Sequence, residues 1–262
     1  MNRYVKTKFP IAYESPDHLI PWGTKRDLSR QLRFESKLIT YMQHKNYSSI
    51  LDLGCSGGAF ICNMHNLGFL AFGLEGSDYS KINRRGPWAY LANHVLFTAD
   101  ITKDFEISVS NEKSAQVFEI ITSFEVLEHL KEDQLETLFK NIKSCSGENT
   151  RLIFSVSMDD DIIDGINLHQ TVKPRKWWIS KFENFGWVEC KPSMQYFNGQ
   201  YLRGERFGAG SSFEVVLRKP GCKDINVPKL SFFGRILDMN SGSKFQRLLF
   251  KLVHGDSVYN SY

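Results

Sequence analysis

No two cysteines of this chain stand in C-x-x-C spacing. The five present, Cys55, Cys62, Cys145, Cys190 and Cys222, are odd in number and scattered, which argues against a disulfide framework or a cysteine-built zinc site and fits reduced thiols. Also missing is an uncharged apolar run of the roughly 18 residues that a membrane span needs. Residues Met1 to Pro10 carry charges without the apolar centre of a secretory signal, so a cytoplasmic protein is expected. The formal net charge of +4 is too small to argue for nucleic acid by itself. There is no internal repeat, and no Gly-Lys-Ser/Thr of a phosphate loop. What remains is 262 residues with 42% hydrophobic content, enough for one sizeable core plus appendages.

The chemistry starts at Ser49-Ile50-Leu51-Asp52-Leu53-Gly54-Cys55-Ser56-Gly57-Gly58, followed by a second apolar run into Leu74-Glu75-Gly76-Ser77. This reads as strand, small-residue turn, helix, strand, acid. A Gly-rich turn lets backbone N–H groups approach a ligand at a helix N-terminus, and a carboxylate ending the next strand accepts ribose hydroxyls. The dinucleotide fingerprint G-x-G-x-x-G does not fit, because Ser56 and Ala59 stand at its second and third glycine positions.

The spacing Asp52-x-Gly54-x-Ser56-x-Gly58 resembles motif I of the class I S-adenosylmethionine (SAM) methyltransferases, with Ser56 in place of the middle glycine. Two later stations are similar to that family as well. His94-Val95-Leu96-Phe97 runs into Thr98-Ala99-Asp100-Ile101, and Phe118 to Phe124 leads into Glu125-Val126-Leu127-Glu128-His129. The resemblance implies SAM as cofactor, held by Asp52, Gly54, Ser56, Gly58, Glu75, Gly76, Asp100, Ile101 and Phe124, with Asp100 meeting the adenine amino group. It also implies a Rossmann-like α/β fold, a seven-stranded mostly parallel sheet with an antiparallel last strand and helices on both faces. Pro21-Trp22-Gly23-Thr24 and His169-Gln170-Thr171-Val172-Lys173-Pro174 with Trp177-Trp178 extend the likeness to a bacterial and viral group often found among glycan-modifying proteins. That points to a sugar hydroxyl, or another small-molecule hydroxyl, as acceptor.

Periodicity places strands near 49–54, 70–75, 94–99, 118–124, 151–157, 187–196 and 212–219, with helices between the first five. The last two are expected as an antiparallel hairpin. Leu130 to Ser144 reads as an amphipathic helix, and a further helix carrying Trp178, Phe182 and Phe185 is bracketed by Pro174 and Gly186. Three regions follow: a lid-like N-terminal extension with a helix capped by Asp27 (1–46), the SAM-binding body (47–219) and an amphipathic tail (220–262). In the extension, Arg26, Arg30 or Arg33 are candidates for the cofactor carboxylate and Trp22 for the acceptor pocket. In the tail, Phe232, Phe233, Ile236 and Leu237, then Phe245, Leu248, Leu249 and Leu252, suggest packing on the body or a peripheral membrane contact.

A hydroxyl must lose its proton as the methyl bond forms, and an imidazole titrates near working pH. His169 is the first candidate base, His129 the second, and Glu125 an acceptor-orienting group or alternative base. Asp159, Asp160, Asp161 and Asp164 lie where a Mg²⁺ would polarise a diol, but consecutive acids read more readily as a solvated loop, so a metal-free site is expected. RNA or protein methylation stays open as an alternative, as does a non-catalytic SAM-binding role. The N-P-P-Y motif of amino-group methylases and the Pro-Cys of C5 methylation are both absent.

Overall fold

The computed structural model describes residues 2–27, 30–109, 115–203, 211–222 and 226–240. The strands are β1 (Arg3–Thr7), β2 (Ser49–Leu53), β3 (Leu70–Glu75), β4 (Leu96–Thr98), β5 (Phe105–Val109), β6 (Phe118–Phe124), β7 (Ser146–Ser157), β8 (Ile162–Ile163), β9 (Ile166–Asn167), β10 (Val188–Glu189) and β11 (Ser212–Arg218). The helices are α1 (Pro16–Leu19), α2 (Trp22–Arg26), α3 (Leu32–Lys45), α4 (Ala59–Asn66), α5 (Tyr79–Ile82), α6 (Trp88–Leu91), α7 (Gln134–Ser144), α8 (Arg175–Asn184), α9 (Lys191–Phe197) and α10 (Phe232–Asn240).

The central sheet has seven strands in the order β4-β3-β2-β6-β7-β11-β10. β2 pairs in parallel with both β3 and β6, and β6 pairs in parallel with β7, while β11 runs antiparallel to β7. This is the Rossmann-like methyltransferase arrangement. All five residues of β2 are buried, as expected of a strand covered on both faces. One core layer holds Leu51, Phe72, Phe118, Phe154, Trp178 and Phe182. The other holds Phe34, Leu38, Tyr41, Met42, Ile50 and Ile153. Each fully buried side chain of this size removes about 1.5–3 kcal/mol of apolar exposure, so α3 contributes to the core itself.

Several expectations need correction. Residues 187–196 are not one strand: pairing stops after Val188–Glu189, and Pro192 near the start of α9 turns the chain into a helix. α9 therefore separates β10 from β11, and their antiparallel pairing is not a hairpin. Among the described residues, no helix lies between β4 and β6. The intervening stretch forms β5, which pairs antiparallel with β1 from the far N-terminus. Helix α7 starts at Gln134, not Leu130, because Leu127–His129 make a single tight turn first. Asp27 ends α2, and the cap of α3 is Gln31, whose side chain accepts from Phe34 N–H. Leu28, expected as an apolar residue of the helix capped by Asp27, lies outside the described residues.

Pro174 and Gly186 do bracket α8, with Gly186 at φ +84°. In the tail, α10 docks on α3 through Asp238, which is fully buried and pairs with Arg33 at 2.6 Å and with Lys37. Phe232, Phe233 and Leu237 on the same helix stay exposed. Phe245 to Leu252 lie outside the described residues. No helix among the described residues is long and apolar enough to cross a membrane.

Candidate active site

The carboxyl ends of β2, β3, β4 and β6 open on one side of the sheet, where ligands bind in open α/β folds. A cavity of about 690 Å³ lies there, reaching from Gly54, Ser56, Glu75, Gly76, Asp100, Ile101 and Phe124 at one end to Glu125, His129 and His169 at the other. It brings together every cofactor residue named from sequence except Asp52 and Gly58, which line a small adjoining recess under the glycine turn.

The turn itself is tight. Gly54 and Gly58 have φ of +80° and +77°, and Ser56 follows them into the left-handed region at +46°. A Cβ on Gly54 would collide with Val126, and one on Gly58 would meet Leu96 at 2.5 Å, so glycine is required at both positions. Glu75 secures the turn from the neighbouring strand, accepting Ser56 N–H at 2.6 Å and Ser77 N–H at 3.1 Å. Asp52 lies beneath, accepting the Thr122 hydroxyl at 2.6 Å. Burial pushes both carboxyls up to about 7. It is opposed at Asp52 by the Thr122 hydrogen bond and at Glu75 by the two backbone amides, and nearby acids add to the rise.

These residues fit a nucleoside carrying a sulfonium. Each Glu75 oxygen keeps a second lone pair for a ribose hydroxyl. Asp100 uses Oδ1 for the Thr102 amide and hydroxyl, at 2.9 and 2.6 Å, and retains Oδ2.

The N-terminal segment forms one wall of the cavity. Ala12 N–H donates to the Gly76 carbonyl at 2.9 Å, and Asp17, Gly23, Thr24 and Asp27 line the space. Arg85 holds this wall down by donating to the Thr24 and Asp27 carbonyls, while Trp88 Nε1 donates to Ser56 O at 2.7 Å. The candidate arginines of the extension are engaged elsewhere: Arg26 stacks on Trp22, Arg30 pairs with Glu35 at 2.5 Å, and Arg33 pairs with Asp238. Trp22 is not among the lining residues. The basic residue over the glycine turn is Arg203, paired with Asp27 at 2.7 Å. No sequence motif marked it.

At the far end, Glu125 takes the left-handed conformation at φ +54° as β6 ends. Ser212 donates to its Oε2 at 2.6 Å, and its Oε1 is buried without a hydrogen-bond partner. Glu128 is fully buried, with Oε1 accepting Ser157 N–H at 3.1 Å. Burial and the neighbouring Glu125 charge push its carboxyl up to about 8.

His129 Nδ1 lies 2.7 Å from Asp17 Oδ2. Burial works against its charge, but Asp17, Glu128 and Asp161 outweigh it and raise the imidazole to about 9. His169 is packed edge-on against His129, ring centroids 4.6 Å apart, and its Nδ1 lies 2.5 Å from the Asp159 carbonyl. Burial, with the His129 charge second, lowers its pKa. A neutral His169 then carries its proton on Nδ1, facing that carbonyl, and leaves Nε2 as a lone pair.

His169 is delivered by a short hairpin, β8 and β9, turned by Asp164 and Gly165 at φ +52° and +79°. Asp-Gly is the expected composition for such a turn, a signal available in the sequence and missed. The acidic run is part of this scaffold: Asn167 donates to Asp160 Oδ1 at 2.6 Å, and Ser211 donates to Asp159. Asp17, paired with His129, is likewise a site residue that no motif announced.

A methyltransferase-domain family model matches residues 24–210, well over half the chain. The chain belongs to that family. It is a SAM-dependent class I methyltransferase, and the matched span contains the glycine turn, Glu75, Asp100, Glu125, His129 and His169. No curated protein matches the methyltransferase's sequence. Among solved structures, a SAM-dependent methyltransferase from Clostridium acetobutylicum ATCC 824 has a TM-score of 0.47 and 12% identity over 78% of this chain and 96% of that one. The mitomycin 7-O-methyltransferase MmcR gives 0.44 and 12% over 72% of this chain and 53% of that one, so this chain spans about half its length. The glycopeptide N-methyltransferase MtfA, complexed with S-adenosylhomocysteine, gives 0.44 and 9% over 73% and 88%.

Proposed function

We propose that this methyltransferase methylates a hydroxyl of a small polyol acceptor of the sugar class. The observation carrying this reading is the polar, acidic far end of the cavity, where Asp17, Glu125, His129, Asp159 and His169 converge around the space left beyond the cofactor residues. Such a lining hydrogen-bonds a polyol well, whereas its carboxylates repel the phosphates of RNA.

SAM supplies an electrophilic methyl on sulfur when bound. The chain's own residues then align the acceptor and remove its proton. Glu75, Asp100 and the glycine turn fix the nucleoside end. At the other end, His169 and Glu125 line the acceptor space and are the candidate bases. His129, tied to Asp17, is the positioning cation beside them.

Incubation of the full chain with methyl-labelled SAM and separated glycan, lipid, RNA and protein fractions tests the reading. Label in a glycan or small-polyol fraction is expected; label confined to RNA or protein would overturn it. The exposed Phe232, Phe233 and Leu237 of α10 support a peripheral contact with membranes carrying the acceptor. Liposome flotation of the full chain against one ending at Pro220 checks this, with flotation of the full chain alone expected.

A further inference from the structure

His129 and His169 line the far end of the cavity, Glu128 lies buried directly beside it, and the three side chains hold polar atoms that no protein hydrogen bond uses. Glu128 is fully buried, its Oε1 occupied by Ser157 N–H and its Oε2 without a hydrogen-bond partner. A buried carboxylate oxygen with nothing to accept from is costly. His129 has Nδ1 against the Asp17 carboxylate, and His169 has Nδ1 against the Asp159 carbonyl. In His169 Nε2 is the remaining nitrogen, while the approach of His129 Nδ1 to Asp17 is an ion-pair contact without hydrogen-bond geometry. Metal-binding histidines are held in this way, one ring nitrogen to the ion and the other to a carboxylate or carbonyl that fixes the ring. Glu128, His129 and His169 each place a ligand-type atom within 4.8 Å of the others.

We propose that Glu128, His129 and His169 bind a divalent cation at the acceptor end of the cavity. The site differs from the acidic run that the sequence suggested as a metal candidate, since Asp159 and Asp160 are engaged with Ser211 and Asn167. Two imidazole nitrogens and one carboxylate oxygen suit Mn²⁺, Co²⁺, Zn²⁺ or Fe²⁺ better than Mg²⁺, which favours an all-oxygen shell. The ion would take the place of the proton that His129 carries in the metal-free protein, and three protein ligands leave coordination positions that adjacent hydroxyls of a polyol would fill.

The role of the ion rests on the O-methylation reading above. A cation-bound hydroxyl would be more acidic, and with His169 engaged as a ligand its proton would pass to the carboxylate of Glu125, which lines the same cavity. The resulting alkoxide oxygen bonds to the methyl carbon as the carbon–sulfur bond breaks. The products are the methyl ether, neutral S-adenosylhomocysteine and a protonated Glu125.

The test uses Co²⁺ as the probe and needs no acceptor. The full chain is stripped with EDTA and titrated with CoCl₂, following visible absorption and heat, with Zn²⁺ as competitor. One Co²⁺ per chain is expected, with a spectrum unlike the aqueous ion. His169→Gln and Glu128→Gln should each weaken it by at least ~10-fold, while Asp160→Asn leaves it unchanged. Glu128 also anchors Ser157, so if Glu128→Gln fails to fold, His169→Gln decides. An aqueous-ion spectrum, or equal binding by the parent chain and His169→Gln, would overturn the proposal. SAM binding by the stripped protein is measured alongside; its loss would count against the cofactor reading, and the Co²⁺ result would still judge the metal site.

Discussion

The two ends of the cavity are built differently. At the cofactor end the polar groups come from strand ends and the turns directly after them, and most are satisfied by nearby backbone: Glu75 by Ser56 and Ser77, Asp100 by Thr102. At the acceptor end, Asp17, Glu125, His129, Asp159 and His169 arrive from three separated stretches of chain, and several polar atoms there are left without partners. A finished site of this kind recognises one fixed molecule; an end with spare lone pairs is suited to handling a proton or an ion. Gly54 joins the two, since its missing Cβ is what lets Val126, next to Glu125, approach the cofactor turn.

If the division is right, mutations at each end should fail in different ways. The largest effect is expected at the acceptor end, where Glu125→Gln and His169→Gln should each lower turnover by ~10²–10⁴-fold, the range of a lost proton-transfer group. SAM affinity by calorimetry should stay at the parent value in both; a parallel loss of SAM binding would erase the distinction. At the cofactor end, Glu75→Gln should weaken SAM by about 1.5–3 kcal/mol, the worth of hydrogen bonds to a charged group, read as an increase in Kd.

Gly54→Ala is the substitution that should injure both ends together, adding about 1–3 kcal/mol of backbone strain and a clash with Val126. It is checked by thermal melting alongside SAM titration. An unchanged acceptor end in that variant would show that the two halves are independent.

The smallest effect is in pH. Burial raises Glu75 to about 7, and a bound sulfonium with ribose donors favours its charged form, so SAM binding near neutrality should release protons. Affinity should then fall as pH drops below about 7, and the dependence should vanish in Glu75→Gln. Calorimetry in buffers of different ionisation enthalpy measures the release.

The same raised carboxyls, Asp52 and Glu75, bind protons in the folded chain at pH values where the unfolded chain, with ordinary carboxyls near ~4, does not. Their contribution to stability therefore falls as pH rises from about 4 to about 7 and is level above that. A cofactor-free melting temperature measured across this window of pH checks the sign, against Glu75→Gln as reference.

How much of this was legible in sequence follows the same divide. Strands β2, β3, β6 and β11 and the glycine turn are written in short contiguous patterns, because a buried parallel strand needs an apolar run and a cofactor turn needs small residues at fixed spacing. The acids closing β3 and β4 were readable for the same reason. The strand expected over 187–196 was misread because Pro192 begins a helix inside an apolar stretch, where hydrophobic runs do not distinguish the two. β1 and β5 escaped because their pairing joins segments about a hundred residues apart.

The amino-acid sequence by itself therefore determined the family and the cofactor turn and brought forward His129, His169 and Glu125 as candidates, since these depend on local order along the chain. Only the tertiary structure decided that Asp17 faces His129, that Asp159 holds the ring of His169, and that Arg33 belongs to Asp238 rather than to the cofactor. A side chain's partner across space is set by packing of whole elements, and no spacing along the chain encodes it.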